Sequence, residues 1–526
     1  MRDQSAVVAF CVSALLLFLA ACGGAEEPDS TPEAGSDTAT DAETSSSAEA
    51  PFEVAESPST GDLLPMPFRV IWEPWIGDFD GMVDRRIIRA VVPYGGYQFY
   101  YEDGLPRGAS AELLQRLETH INDKLNRGNV KIYVVAIPVS RDRLIPALLN
   151  GNADLIAADL TITEERSELV DFSRPMLTDI NEVIVSGPDA GNIETLDDLA
   201  GKEIVVRRSS SYFEHLQNLV NDFENRGLEP PKLLAADEVL EAEELLEMLD
   251  GGLIDITVVD DYKAHFWASQ FSDITVHDEL VVNEGGSIAW AMREDSPLFA
   301  NEITSFLRKY GKGTMIGNDT YNRYLSDASK VRCNFSNRSP GEVEHLIDVF
   351  QKYGEKYDFD WLMLAAQGYQ ESGLRQNRRS PAGAVGIMQN KPSNAKDKNV
   401  GIEDISTIDG NIHAGTRYMR FLADRYFSDE GINDLQQWIF SLAAYNAGPA
   451  KIARFRREAA ENGYDPNRWF DNVEIVAARR IGRETVTYVS NVFKYYVGYQ
   501  LFAERDAIVA TRHDAILEEC IARRAE

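Results

Sequence analysis

The stretch that decides the fold of the larger part of the chain is 144–175, LIPALLNGNADLIAADLTITEERSELVDFSRP. Residues 140–150 predict a helix that ends at Gly151, because glycine readily adopts the backbone conformation that terminates a helix. An apolar run over 154–158 then predicts a buried strand. A helix followed at once by a short buried strand is typical of a mixed α/β domain.

The same alternation continues on both sides of this stretch. Strands are predicted over 86–93, 130–137, 203–207, 254–259 and 288–292, and helices over 109–126, 211–225, 238–249 and 297–310. These elements divide into two successive sets, so we expect a two-lobed α/β domain. A cleft between two such lobes is a natural place for a small-molecule ligand.

Together with its neighbours, the 144–175 stretch resembles the family 3 extracellular solute-binding proteins, which hold amino acids or short peptides. The resemblance implies that Arg166 clamps a ligand carboxylate, with Thr161 beside it. A guanidinium suits this task because its donors match a carboxylate bidentately. It also implies that Asp260 pairs with a ligand ammonium group. Ser209, at the start of a predicted helix, can offer an N–H to an anion.

Two of these assignments have structural alternatives. Arg166 is also placed for a surface ion pair with Glu164 or Glu165, and Asp260 is placed to cap a helix N-terminus. Asp159 departs from the family pattern, which commonly has a small residue there, and an acid at that point disfavours a ligand carboxylate. The identity of the ligand therefore stays open.

The preceding block, 72–89 (WEPWIGDFDGMVDRRIIR), is not typical of free solute-binding proteins. It resembles the leading segment of membrane-bound lytic murein transglycosylase F-like proteins. Residues 78–81 (DFDG) lack the downstream acidic ligands of a calcium loop, so they predict a turn.

The C-terminal third carries the residues suited to catalysis. Its pattern predicts helices over 342–356 and 361–372, the second capped by Asp360. Glu371 lies at the C-terminal end of that helix, where the helix dipole and partial burial both raise the pKa of a carboxyl group. A carboxyl that keeps its proton near neutrality is what a general acid needs.

Three further motifs follow in order, SPAGAVGIMQ at 380–389, AAYNAG at 443–448 and ETVTYV at 484–489. With Glu371 and Ser372 they resemble the soluble lytic transglycosylase domain, a mostly helical, goose-type-lysozyme-like fold, over residues 340–505. The resemblance implies that Glu371 is the sole catalytic acid. It also implies contacts with substrate at Ser380, Gln389, Tyr445, Asn446 and Glu484.

Several residues of these motifs have alternative roles. Ser380 and Tyr445 also suit a turn and a packed core, and Glu484 suits a helix N-terminus stabilised by the dipole. We expect Gly383 and Gly386 to let the backbone approach a bulky ligand, because they lack a Cβ atom.

The reaction implied by the resemblance needs one principal carboxyl group, whereas ordinary glycosidases pair two. Glu371 protonates the oxygen that leaves C1 of an N-acetylmuramic acid residue, and the acetamido group of the sugar stabilises the resulting cation. Glu371 then takes the proton of the C6 hydroxyl, which closes onto C1 as a 1,6-anhydro ring without consuming water. The rival interpretation is a non-catalytic periplasmic lipoprotein that binds solutes or muropeptides.

The N-terminus predicts an export signal. Residues 6–21 (AVVAFCVSALLLFLAA) form an apolar run that is too short for a comfortable membrane span and typical of a signal-peptide core. The following Cys22 and Gly23 resemble the bacterial lipoprotein signal, which implies a lipid anchor on Cys22 at the periplasmic face of the outer membrane. An ordinary cleavage site with a chance cysteine is the alternative.

Composition sets the remaining expectations. The chain has 526 residues and a net charge of −33, which excludes nucleic acid as a partner because its binding requires phosphate neutralisation. Residues 25–62 carry eleven acidic side chains and no lysine or arginine, so we expect a disordered tether over 22–62. Cys333 and Cys520 are either a disulfide or two free thiols.

The predicted organisation is a signal peptide over 1–21, the acidic tether over 22–62, a two-lobed α/β solute-binding domain over 63–330 and a mostly α lysozyme-like catalytic domain over 331–526. The expected partners are peptidoglycan glycan strands, a small amino-acid or peptide ligand, and a membrane reached through the lipid anchor. No cofactor and no metal ion are expected.

Overall fold

The N-terminal half of the structure is a mixed α/β domain. The computed structural model describes residues 71, 73–95, 97–102, 105–238, 240–325, 340–500 and 503. The predicted signal peptide, the tether, the lipidation site at Cys22, and Cys333 and Cys520 lie outside these residues. Residues 62–505 belong to one unit of the chain.

The strands of this half are β1 (Ile87–Pro93), β2 (Tyr100–Glu102), β3 (Leu105–Arg107), β4 (Tyr133–Val139), β5 (Leu155–Thr161), β6 (Asp171–Phe172), β7 (Leu177–Ser186), β8 (Glu203–Arg207), β9 (Lys232–Ala236), β10 (Ile256–Asp260) and β11 (Thr275–Met292). The helices are α1 (Phe79–Asp84), α2 (Ala109–Lys124), α3 (Leu144–Leu149), α4 (Glu164–Ser167), α5 (Ser211–Arg226), α6 (Ala242–Asp250), α7 (Asp261–Ala268), α8 (Pro297–Tyr310) and α9 (Met315–Leu325). Most predicted strands and helices are confirmed, with ends that differ by a few residues, but the strand predicted over 288–292 is only the end of β11. Residues 141–143 of the helix predicted over 140–150 form a 3-10 turn before α3.

One sheet runs through both lobes, with the strand order β10-β7-β11-β5-β1-β4 and β6 paired to β11. β1 pairs in parallel with β4 and β5, and these strands form the first lobe with α2, α3, α8 and α9. β10, the parallel pair β8–β9 and helices α5 to α7 form the second lobe. The two long strands β7 and β11 are antiparallel and connect the lobes. The predicted two-lobed architecture is therefore confirmed.

The connecting strands were largely missed by the sequence analysis, which predicted only the end of β11. Their pairing has several register shifts, and Asp179 and Gly285 have left-handed backbone conformations with φ of 58° and 70°. A Cβ atom on the next residue, Gly286, would lie 3.1 Å from the carbonyl oxygen of Ile180. These breaks interrupt the two-residue alternation by which a strand is recognised.

The leading segment, 73–78, is held against the first lobe by buried arginines. Arg89 donates to the carbonyl oxygens of Glu73 (2.9 Å) and Trp75 (3.2 Å), and Arg293 donates to that of Gly77 (3.0 Å). Both guanidinium groups lie around the buried carboxylate of Asp154. A buried charge is tolerated where it is paired and hydrogen-bonded. The arginines meet this condition through Asp154 and the carbonyl oxygens, and these bonds fix the leading segment on the first lobe.

The predicted turn at 78–81 is wrong, because Asp78 instead begins a short helix. Its carboxylate accepts from the N–H of Phe79 (2.7 Å) at the start of α1. It also accepts from the N–H groups of Leu298 and Phe299, each at 2.8 Å, in the first turn of α8. One acidic side chain thus caps two helix N-termini, whose unpaired N–H groups favour negative charge.

The C-terminal half is helical, as predicted. Its helices are α10 (Pro340–Tyr357), α11 (Trp361–Ser372), α12 (Pro392–Ala395), α13 (Ile408–Tyr426), α14 (Asp434–Ala447), α15 (Pro449–Glu461), α16 (Glu474–Ile481) and α17, which is described over 483–500. The buried apolar residues of α13, α14, α16 and α17 form one core, and Ile87, Tyr133 and Val135 of the sheet belong to it. The two halves therefore share a hydrophobic interface.

Polar contacts reinforce that interface. Arg86, which is 4% exposed, pairs with the fully buried Glu474 at 3.0 Å and also contacts Asp471. The hydroxyl groups of Tyr133 and Ser490 are hydrogen-bonded at 2.6 Å. Burial raises the pKa of Glu474 and Arg86 opposes that effect, so the carboxylate depends on its partner to stay charged.

Substituting Arg86 by methionine is expected to lower the free energy of unfolding by about 3–5 kcal/mol, because Glu474 is left as an uncompensated buried charge. The double variant R86M/E474M should recover most of that loss, since both charges are then removed. Urea unfolding monitored by circular dichroism measures both values. Equal destabilisation in the single and double variants would contradict the assigned role of the pair.

Candidate functional site

The helix that carries Glu371 has well-defined ends. Asp360 accepts from the N–H of Leu362 at 2.9 Å, as the predicted N-cap, and Gly373 ends the helix in a left-handed conformation. The hydroxyl of Ser372 donates to the carbonyl oxygen of Ile387 at 2.8 Å, which ties the end of α11 to the 380–389 motif. These contacts fix the direction in which the last turn presents Glu371.

Glu371 is half-buried and meets one hydroxyl group. The Tyr488 hydroxyl donates to Glu371 Oε1 at 2.7 Å. Burial raises the pKa of Glu371 to about 7, although the bond from Tyr488 favours the charged form and opposes the rise. The rise keeps a protonated fraction of Glu371 present near neutral pH, which is the state that a general acid requires.

The 380–389 motif is a loop closed by its own backbone and side-chain bonds. Ser380 Oγ accepts from the N–H of Ala384 at 3.0 Å, and Gln389 donates to the carbonyl oxygen of Gly386 at 2.8 Å. A Cβ atom on Gly386 would lie 2.3 Å from Asn411 Nδ2, while nothing lies within 4 Å of one on Gly383. At Gly386, the group that packs closely against the backbone is therefore the side chain of Asn411 and not a ligand.

Tyr445 joins this loop to the end of α14. Its hydroxyl donates to the carbonyl oxygen of Met388 at 2.6 Å and to Asn390 Oδ1 at 3.1 Å. Burial, and after it the negative charge of Glu371, raise the pKa of Tyr445, so the two side chains are neighbours. Tyr445 therefore lies near the acid, while its hydroxyl is bonded to the loop.

Asn446 and Glu484 lie at the exposed border of the same region. Asn446 accepts from the hydroxyl of Thr485 at 2.7 Å, which connects α14 to the first turn of α17. Glu484 is exposed in that first turn, where the helix dipole favours an acidic residue. The structure thus gathers Glu371, Ser380, Gln389, Tyr445 and Asn446 around one loop and leaves Glu484 at its edge.

Tyr488 is the residue that the sequence analysis missed. It lies within the ETVTYV motif, one turn after Glu484, in a helix rich in buried aromatic residues. The signal that could have identified Tyr488 as a functional residue was its position inside a motif that resembles a substrate-contacting segment. Periodicity alone assigns such a tyrosine to the core.

The residues implied for the solute site lie between the two lobes. The Arg166 guanidinium donates to the carbonyl oxygens of Thr161 (3.0 Å) and Ser209 (2.8 Å), and its Nε lies 3.3 Å from Glu214 Oε1. The Ser209 hydroxyl donates to Glu238 at 2.5 Å. The structure therefore brings Thr161, Arg166 and Ser209 together, with the guanidinium engaged by the protein itself.

Asp260 is buried at the end of β10 and pairs with Lys263 at 2.7 Å. It occupies the N-cap position of α7 without a side-chain capping bond, and its Oδ1 has no hydrogen-bond partner among the residues that the structure describes. A buried carboxylate oxygen without a donor is costly, so this atom is available to a ligand donor.

Asp159 lies in a group of tyrosine hydroxyls. Tyr97 donates to it, Tyr262 lies 3.3 Å away, and Tyr321 lies 3.5 Å from its other oxygen. Tyr262 belongs to the second lobe and Tyr97 to the first, so hydroxyl groups from both lobes meet at this carboxylate. The departure from the family pattern noted in the sequence thus has a structural role.

The comparisons with known proteins agree with both halves. The family model for bacterial extracellular solute-binding proteins, family 3, matches residues 88–326, and the model for the transglycosylase SLT domain matches residues 348–467. A membrane-bound lytic murein transglycosylase F of Ectopseudomonas mendocina (strain ymp) is 30% identical over 363 residues, which cover 65% of this chain and 71% of that protein.

The chain belongs to the membrane-bound lytic murein transglycosylase F family.

Two further matches are a relative in the same family and a solved structure. A member of this family from Desulfosudis oleivorans (strain DSM 6200 / JCM 39069 / Hxd3) is 29% identical over 376 residues, covering 68% of this chain and 79% of the relative. Among solved structures, an ancestral arginine-binding protein bound to arginine is 24% identical, covers 45% of this chain and 97% of its own, and has a TM-score of 0.38.

The part of the chain that the structure describes contains neither a membrane-spanning helix nor a cluster of metal ligands. Every helix there is too short or too polar to span a bilayer. No group of three or more histidine, cysteine, aspartate or glutamate side chains in those residues is arranged to hold a metal ion.

The pKa of Glu371 should be about 7 in a ¹³C NMR titration of its carboxyl group. In Y488F the pKa should rise above that value, because the removed hydroxyl favours the charged carboxylate. The variant Y495F, which loses a hydroxyl farther along α17, should leave the pKa unchanged. A pKa near 4.5 in the wild type, or no response to Y488F, would show that this contact does not control the acid.

Proposed function

We propose that this chain is a lytic transglycosylase that cleaves the β-1,4 bond between N-acetylmuramic acid and N-acetylglucosamine in peptidoglycan. The observation that carries the proposal is the half-buried carboxyl of Glu371, with a pKa near neutrality and a hydrogen bond from Tyr488. The family membership and the SLT match over 348–467 support the same reaction.

Glu371 acts first as an acid and then as a base. Its proton passes to the glycosidic oxygen as the C1–O bond breaks, and the substrate acetamido group stabilises the charge at C1. The Glu371 carboxylate then accepts the proton of the C6 hydroxyl while the C6 oxygen bonds to C1. The enzyme regains its starting proton, and the product is a 1,6-anhydro sugar formed without water or a cofactor.

The surrounding residues have supporting roles in this proposal. Tyr488 stabilises the carboxylate that exists between the two proton transfers, since its bond favours the charged form. Ser380, Gln389, Tyr445, Asn446 and Glu484 are proposed substrate contacts. A second carboxylate is not required, because the substrate supplies its own nucleophile.

Glu371→Gln is expected to lower the rate of murein digestion at least about a hundredfold, because amide nitrogen cannot deliver the required proton. Mass analysis should find anhydro products, lighter than hydrolytic ones by one water molecule, from the wild type. The rate should decline as pH rises above about 7, where Glu371 loses its proton.

The matched control is E355Q, which neutralises an exposed carboxylate on α10 and should keep full activity. Hydrated products would identify a hydrolase instead. Absence of any released sugar from the wild type would favour the non-catalytic lipoprotein that binds solutes or muropeptides.

We also propose that the cleft between the lobes binds an amino acid or a short cell-wall peptide. Arg166 would bind its carboxylate, in exchange for Glu214, and the free Oδ1 of Asp260 would accept from its ammonium group. Thr161 and Ser209 complete the proposed site. We further propose that this binding changes the activity at Glu371, because α17 carries both Ser490, at the interface with Tyr133, and Tyr488.

Glu214→Gln should tighten ligand binding several-fold, because the internal carboxylate no longer competes for Arg166. D260N should weaken it, and E224Q, on the exposed side of the same helix α5, should leave it unchanged. Calorimetry with the common amino acids and murein peptides measures the affinities. Identical murein turnover with and without a bound ligand would contradict the coupling, though not the site.

We propose that Cys22 carries a lipid anchor that holds the protein at the periplasmic face of the outer membrane. The apolar run before Cys22 and the name of the family, which describes its members as membrane-bound, support this location.

A further inference from the structure

The segment after Glu371 is basic in an otherwise acidic protein. Residues 372–398 contain six arginine and lysine side chains and one acidic side chain, whereas the whole chain has a net charge of −33. Of these cations, Arg375, Arg378, Arg379 and Lys391 are exposed, and we call them the basic rim.

The basic rim lies on the loop of the proposed active site. The N–H of Arg375 donates to Ser372 Oγ at 3.0 Å, next to Glu371 in the chain. The carbonyl oxygen of Arg378 accepts from Gly386 at 3.0 Å, inside the 380–389 motif. Lys391 follows Asn390, to which Tyr445 donates at 3.1 Å. These backbone positions place the cations beside the groups proposed to hold the glycan.

The rim is not neutralised by the protein. Lys396, in the same segment, lies 3.7 Å from Glu403, but Arg375, Arg378 and Lys391 have no acidic partner among the residues that the structure describes. The guanidinium of Arg379 donates to the carbonyl oxygens of Gln376 (3.2 Å) and Arg378 (3.0 Å), so it helps to hold the loop. Three exposed cations therefore remain to attract an anion.

We propose that the basic rim binds the carboxylates of the peptide stems on murein, so that the enzyme prefers glycan strands that still carry peptides. The inference rests on the proposed function, since it names a second part of the same substrate. Uncharged sugar hydroxyls give cations no advantage, whereas stem peptides place carboxylates beside the glycan at each muramic acid. Complementary charge increases the association rate and selects the partner, and it also offsets the repulsion from the acidic remainder of the chain.

The test compares R375Q/R378Q/K391Q with a control variant that neutralises three exposed cations elsewhere, K232Q/R308Q/R425Q. All proteins carry E371Q to prevent digestion. Their binding is measured by cosedimentation with intact sacculi and with glycan strands stripped of peptides by an amidase, whose exposed lactyl carboxylates are then capped as neutral methylamides. The rim variant should bind intact sacculi about tenfold more weakly, as expected for three exposed ion pairs, and stripped strands within about twofold of the parent. The difference should shrink in about 0.5 M salt, where exposed charges are screened.

Equal weakening on both substrates, or no weakening on either, would overturn the proposal. Loss of binding to vesicles containing phosphatidylglycerol, with murein binding intact, would assign the rim to a membrane surface instead. Because this readout is binding in the E371Q background, its failure is distinct from failure of the proposed reaction, which would appear as the absence of anhydro products from the enzyme with Glu371.

Discussion

The desolvation of one carboxyl group, that of Glu371, is the constraint around which the C-terminal half is arranged. A carboxyl removed from water favours its neutral form, and only a hydrogen bond from outside the helix restores part of the stability of the charged form. Tyr488 supplies that bond from α17, more than a hundred residues later in the chain. The fold therefore joins distant segments around a single titrating group.

Burial of this kind requires that the last turn of α11 cannot swing outward. Asp360 and Gly373 fix the two ends of the helix, and Ser372 attaches its final turn to the loop at Ile387. Tyr445 then attaches the same loop to α14 through Met388. Each of these bonds has a backbone group as one partner. Substitutions of surface side chains therefore leave the position of Glu371 unchanged.

The sequence was sufficient for features that are local. The helix over 361–372 and its cap at Asp360 follow from residues within a few turns of one another. The raised pKa of Glu371 depends instead on burial, which the tertiary structure supplies. The role of Gly386 was misread, because the group that approaches it is the side chain of Asn411, on a helix that the loop sequence does not specify. The bond from Tyr488 was missed for the same reason, since periodicity distinguishes a buried face from an exposed one but not a core tyrosine from one bonded to an acid.

The same limit applies to the arginines near β1 and to the connecting strands. Arg86 and Arg89 stand beside apolar residues in the sequence, and their buried partners Glu474 and Asp154 lie 388 and 65 positions away. β7 and β11 pass from one lobe to the other, so their surroundings change along their length and no single alternation describes them. A hydropathy pattern identifies a strand whose surroundings are the same along its length. Each of these two strands instead has one part in the first lobe and another part in the second.

Helix α17 contacts both the N-terminal half and the catalytic carboxyl proposed in the C-terminal half. Ser490 bonds to Tyr133 in the sheet and Lys494 pairs with Glu118 at 3.0 Å, while Tyr488, on the same helix, bonds to Glu371. A hydrogen bond to a charged group contributes about 1.5–3 kcal/mol, and about 1.4 kcal/mol corresponds to a tenfold change in an equilibrium. Making or breaking the bond from Tyr488 is therefore enough to change the protonation equilibrium of Glu371 tenfold or more. Under the proposed coupling, a ligand in the cleft would change that equilibrium only to the extent that it favours one position of α17 over another.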